Sequence, residues 1–178
     1  MVFAHDTEHA LLAAVTLVNS AQEPETITSV EELDRFFVES HYTGRHDGDA
    51  AELEAVRAVR APLRDLLLAD RDQAVELINA MLAEHRAVPQ LRRHDDYDWH
   101  IHAIEAERPL AARIIVETAM AMIDVVRADE MSRLAVCADE DCGGIALDLS
   151  RNRSKKFCST TCGNRNAVAA YRARQADD

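Results

Sequence analysis

What this chain has little of narrows it first. Its first 136 residues contain no cysteine, and the whole chain has four. That pattern rules out a disulfide framework spread through the fold and leaves no thiol there to act as a nucleophile. Five glycines and four prolines include no glycine-rich phosphate loop, and no nucleophile elbow is present. No catalytic activity is therefore expected. No apolar run approaches the roughly 20 residues that span a bilayer. The N-terminus lacks the basic segment and apolar run of a secretory leader. The expectation is a soluble, cytoplasmic protein with no membrane partner. Lysine is scarce while Ala, Arg, Asp and Val are abundant, a composition typical of GC-rich bacterial genomes.

The scarce residues are concentrated near the C-terminus. Cys137, Cys142, Cys158 and Cys162 form two short-spaced pairs, the arrangement a tetrahedral four-thiolate zinc site requires. Gly143-Gly144 follows the first pair as a knuckle turn often demands. Two disulfides or four unrelated thiols fit less well, because the pairs are compact and nothing marks an oxidising compartment. Four thiolates fill the coordination sphere, so one structural Zn2+ per chain is expected, with no position open for chemistry. Ile145 to Leu149 reads as a strand, with Lys155-Lys156-Phe157 able to return beside it. Ser159 is placed to cap a helix carrying Cys162 in its first turn and running to about Gln175. Knuckle, hairpin and ligand-bearing helix make a treble-clef or ribbon-like finger.

Charge is distributed unevenly. The net charge is -12, yet Leu147 to Arg174 holds seven basic residues and one acid, Asp148. That segment is +6, so the remainder is -18. A basic module on an acidic body suits a contact with DNA. The bland alternative is that the cations neutralise a negative zinc-thiolate cluster. Arg151, Arg153, Lys155, Lys156, Arg172 and Arg174 are the candidates for phosphate. Asn164 and Arg165 are divided between base contact and support of the knuckle.

Cys162-Gly163-Asn164-Arg165 spells the signature of the CGNR zinc fingers, and the surroundings resemble that family too. Asp148, Ser150-Arg151-Asn152, Lys155-Lys156-Phe157, Cys158-Ser159 and the end Tyr171, Arg172, Arg174 all correspond. Phe157 stands where relatives often have Trp, and Asn166 where a basic residue is common. In this family the finger usually follows a helical domain of the ABATE type, associated with stress-induced transcription regulators. The resemblance implies DNA as a partner.

The preceding chain reads as mostly helical. Thr7 to Asn19 is an apolar helix, and Leu17-Val18-Asn19-Ser20 resembles a stretch near the start of ABATE-type domains. By its position Asn19 is a helix C-cap. His5-Asp6-Thr7-Glu8-His9 matches the H-x-x-E-H zinc-peptidase pattern, but it lies at a chain end with no third ligand in view, and reads as a helix start. Ser29 to Glu32 forms a capping box. Asp49 to Ala69 is a long helix that Pro62 kinks or divides. Val75 to His85 follows, capped by Asp70 or Asp72. Residues 88 to 104 change period: Tyr97, Trp99 and Ile101 alternate with Asp98, His100 and His102, as in a strand, with Val88 to Leu91 as a hairpin partner. Trp99 is read as core of a small capping sheet. A ligand pocket for an unknown small-molecule effector is the sharper alternative, lined by Asn19, Trp99, His100 and His102. Leu110 to about Arg127 is apolar on more than one face and belongs at the domain centre or in a dimer. The link Asp129 to Val136 is short and lacks Gly and Pro, so the helix is expected to run straight towards Cys137.

The expected architecture is mainly α with a small β-hairpin. An N-terminal helical domain occupies 1–130 and a four-cysteine treble-clef or ribbon-like finger 131–178. The expected function is a transcription regulator, homodimeric because one finger alone binds DNA weakly. The alternative is a protein-interaction adaptor that never touches nucleic acid.

Overall fold

The computed structural model describes residues 2–94 and 97–176. Helix α1 (His5–Asn19) opens the chain, so the first histidine of the H-x-x-E-H pattern begins a helix. Helix α2 (Val30–Glu39) starts at Ser29, whose hydroxyl accepts from Glu32 N at 3.3 Å. Glu32 reaches back to Thr28 N at 2.7 Å, one residue earlier than a standard capping box.

The long helix expected over Asp49–Ala69 is two, α3 (Ala50–Ala58) and α4 (Arg60–Leu68). The division falls at Val59, upstream of Pro62. Proline has no N–H for the carbonyl of Ala58, four residues back, and its ring crowds that carbonyl, so the break appears there. Helix α5 (Arg71–Glu84) is capped by Asp70 Oδ1, which accepts from Gln73 N at 2.9 Å. It therefore begins four residues before Val75.

Helix α6 (Leu110–Arg127) is the axis of the body and packs against α1, α3, α4 and α5. Leu110, Ile114, Val116, Ala119 and Met122 are fully buried on it, as an all-round apolar helix should be. Its Arg113 ties in the loop after α2, donating to the carbonyls of Thr43, Arg45 and Arg108. One turn on, Glu117 is half-buried. Burial pushes its carboxyl up to about 7, against the opposing pull of Arg113.

Among the described residues, two antiparallel strand pairs accompany the helices. Strand β1 (Gln90–His94) pairs with β2 (Tyr97–His102), with Leu91 opposite Ile101. The side chains of Tyr97 and Asp98 lie outside the described residues. β1 begins at Gln90, within the Val88–Leu91 stretch expected to pair, and Val88 N donates to Ala103 O at 2.8 Å just ahead of it. Trp99 is not core: it is 63 % exposed. Leu91 and Ile101, on the same face of the strand pair, are exposed as well.

The chain does not run straight from α6 to the first cysteine. Asp129, with φ +57°, turns it, and a single 3-10 turn at Met131–Arg133 leads into β3 (Leu134–Val136). β3 pairs with β4 (Ile145–Leu147) in register Leu134 to Leu147. The strand partner of Ile145 is thus upstream, not Lys155–Phe157. Pairing 134–136 with 145–147 closes the loop that holds both Cys137 and Cys142. Leu134, Ile145 and Leu147 join the same buried cluster as the helices. Helix α7 (Thr160–Ala176) ends the fold.

Candidate metal centre

The metal site is assembled from three pieces of chain. The first is the loop joining β3 to β4, where Cys137 N donates to Gly144 O at 2.7 Å and Cys142 N to Asp139 O at 2.9 Å. These bonds fold the loop so that both sulfurs face one way. The second is the segment before α7. Ala138 N donates to Lys156 O at 2.9 Å, and Cys158 N to Cys137 Sγ at 3.3 Å. The third is the first turn of α7, begun by Ser159, whose Oγ accepts from Cys162 N at 3.2 Å.

The four sulfurs lie within 4.8 Å of one another. Sγ of Cys142 and Cys158 are 3.5 Å apart, and those of Cys158 and Cys162 3.7 Å. A tetrahedral zinc with Zn–S bonds of about 2.3 Å requires sulfur separations of about 3.8 Å. The donor set fits one structural zinc. Burial and the neighbouring thiols push Cys158 up to about 12. Cys162, bonded by Ser159, is held below the ordinary thiol range. A divalent cation converts the crowding into favourable ligation. Cys137 and Cys162 are buried, and Cys142 and Cys158 half-buried.

Glycine is needed at the knuckle for space. A Cβ on Gly144 would lie 3.2 Å from Cys158 Sγ, 3.3 Å from Asn19 Oδ1 and 3.4 Å from Cys142 Sγ. Here α1 reaches the metal. Asn19 Nδ2 donates to Ile145 O at 2.9 Å, and its Oδ1 accepts from Ile145 N at 2.6 Å. The side-chain amide pairs with β4 as another strand would. Asn19 is the last residue of α1, with Ser20 as the C-cap, so instead of capping the helix it clamps the helical body to the knuckle. No local signal marks this, because its partner is 126 residues away.

The C-G-N-R residues separate by task. Cys162 is a ligand. Arg165 Nε donates to Asp139 Oδ2 at 2.7 Å and its Nη2 reaches Cys162 Sγ at 3.8 Å, so it braces the knuckle. Its guanidinium holds the Asp139 carboxyl below the usual range. Asn164 is exposed. Asn166 Nδ2 donates to Cys162 O at 3.0 Å within the helix. Asp148 organises the next loop, taking Ser150 N at 2.8 Å and Lys155 N at 2.7 Å.

Arg151, Arg153, Lys155, Lys156, Arg172 and Arg174 are all exposed. Arg153 is paired with Glu130 at 2.6 Å. Every residue of α7 from Ala167 to Gln175 is exposed, Val168 and Tyr171 included. Beyond its first two turns this helix stands clear of the body.

The four residues expected to line one pocket are not together. Asn19 is at the metal end of α1. The hairpin carrying Trp99, His100 and His102 crosses the other end, where Ile101 N donates to Asp6 Oδ2 at 3.2 Å. His100 and His102 approach each other, Nε2 to Nε2, at 2.8 Å. His5 and His9 have ring centroids 4.0 Å apart, and His41 stacks on His9 at 5.5 Å. Among the described residues, the four cysteines are the group of ligand atoms close enough to hold a metal.

A helical body clamped onto a four-cysteine knuckle, with an unpacked helix beyond it, defines a zinc-finger protein of two joined parts. The chain belongs to the ABATE family, whose model, described as "Putative stress-induced transcription regulator", matches residues 12–129. The CGNR zinc finger model matches residues 133–175. No curated protein matches significantly. No helix of the described residues is long and apolar enough to cross a membrane.

Proposed function

We propose that this protein is a transcription regulator that contacts DNA through α7 and the basic loop before it. What supports the reading most is the condition of α7. From Ala167 to Gln175 it is exposed on every side, and no acidic residue occurs between Asp148 and Asp177. Isolated helices of this length are marginal in water. One anchored by a metal at its N-terminus and bare elsewhere is suited to lie against a polyanion. Arg151, Lys155, Lys156, Arg172 and Arg174 supply phosphate contacts. Arg153 and Arg165 spend part of their charge on Glu130 and Asp139.

Five or six phosphate contacts give mainly non-specific, salt-sensitive affinity, on the order of 10⁻⁴ to 10⁻⁶ M. Selectivity then requires a second finger, so the working unit is a homodimer held by the helical domain. The metal's thiolate set is closed and its role is structural, so the protein binds and does not catalyse. Those two internal ion pairs favour a second reading, in which the module docks a protein partner and its cations stabilise the fold.

Fluorescence anisotropy of the zinc-loaded chain with labelled duplex DNA at two salt concentrations separates the readings. The regulator reading expects binding that weakens steeply with salt and disappears on chelation. Absence of binding at low salt rejects it in favour of the adaptor.

A further inference from the structure

A groove of about 460 Å³ opens where the end of α1 meets α3 and α4. Its size lies within the range of small-molecule sites, about 300–1,000 Å³. Val18 and Ala21 make one wall apolar, and Arg57, Arg60 and Arg64 line the other. The arginines are three and four residues apart and share a face although the helix divides between them.

Their charge is incompletely matched. Arg57 and Arg60 grip Glu25 Oε1 at 2.9 and 2.6 Å, Arg57 also pairs with Glu54 of the groove lining at 2.9 Å, and Arg60 donates to the carbonyls of Thr26 and Ile27, which leaves Arg64 as the lining cation with no ion pair among the described residues. Nη1 of Arg64 and Nε of Arg60 are buried with no acceptor. An unpaired buried donor on a charged group is costly, and in a native fold it calls for a cause. Guanidinium next to an apolar wall is a recognition surface for a small organic anion. The anion's body lies on Val18 and Ala21, and its carboxylate or phosphate takes the guanidinium.

We infer that this groove binds a small organic anion of the carboxylate or phosphate class and that the metal knuckle senses its occupancy. Gln22 makes the connection. It lines the groove, and its Oε1 lies 2.7 Å from where a Cβ on Gly143 would be. Asn19, three residues earlier, holds Ile145 on the other side of the same turn. A ligand that displaces Gln22 therefore acts directly on the loop between Cys142 and β4. The consequence for DNA rests on the regulator reading; the binding and its effect on the knuckle do not.

The test titrates the zinc-loaded full chain with phenyl phosphate and with benzoate at constant ionic strength, following backbone amide resonances by NMR. The expected result is saturable shifts at Gly143 and Gly144 together with residues of the groove, with the stronger probe identifying the head group. Arg64→Gln weakens binding about tenfold or more, the loss of one charge-assisted hydrogen bond. Ala61→Glu, at an exposed lining position, supplies a competing carboxylate and weakens it independently. Absence of saturable shifts with both probes overturns the inference. So do shifts that survive both substitutions, or groove shifts that leave Gly143 and Gly144 unmoved. No DNA enters the measurement, so a failure of the regulator reading cannot be mistaken for a failure here.

Discussion

The two halves of the metal centre face opposite surroundings. On one side, β3, the knuckle and β4 are built into the body. Ile145, Ala146 and Leu147 are all buried, and Asn19 pairs with Ile145 through two hydrogen bonds. On the other, the loop Arg151–Lys156 and α7 from Ala167 to Gln175 lie in solvent. One zinc joins a half that carries stability to a half that is free to bind. Substitutions in the first should change folding; substitutions in the second should change only association.

The largest effect is expected from Cys158→Ser or from chelation. A finger independent of the helical domain would unfold alone. Because Leu134, Ile145 and Leu147 share the helical core, loss of the metal should instead destabilise the whole chain. Thermal unfolding followed by circular dichroism should show one transition lowered by about 10 °C or more. Two separate transitions, with the body's unchanged, would break the comparison.

Asn19→Ala comes next. It removes both bonds to β4 and leaves Ile145 N–H and C=O without their partner, at a cost of roughly 2–4 kcal/mol. Urea unfolding measures this, and zinc affinity should fall with it. If zinc affinity is unaffected, the clamp does not couple the body to the metal.

Glu117→Gln perturbs the body alone. The folded chain holds this proton up to about pH 7, whereas the unfolded chain releases it near 4.5. Between those values the folded state binds more protons, so stability falls as pH rises and levels off above about 7. The glutamine variant should lack this decline and be more stable at pH 8 by on the order of 1–3 kcal/mol. Unfolding midpoints from pH 5 to 8 test it; an unchanged slope removes Glu117 as the cause.

The smallest effect on stability, within about 0.5 kcal/mol, is expected from Arg172→Ala with Arg174→Ala. The same pair should flatten the salt dependence of DNA binding by about 0.9 per lost phosphate contact. An unchanged salt dependence would assign those arginines another task.

The metal site was legible because spacing alone encodes it: two short cysteine pairs and a serine cap specify local geometry. Helix positions were legible for the same reason, through periodicity, with Pro62 marking a break whose location depends on the carbonyl four residues back. The strand partner of Ile145 was not, since β3 is three residues long and carries no periodic signal. Nor was the exposure of Trp99, because alternation shows that a strand has two faces but not whether anything covers either. Position alone marks Asn19 as a cap, because its real partners are distant in sequence. Long-range pairings of single polar side chains leave no local trace.

The most direct test of the two-sided metal centre is hydrogen exchange of the zinc-loaded chain, with and without duplex DNA. The account predicts that amides of β3 and β4 are protected in both conditions and unchanged, while those of Ala167 to Gln175 exchange quickly alone and slow on adding DNA. Slow exchange of α7 without DNA, or DNA-dependent change confined to β3 and β4, would contradict it.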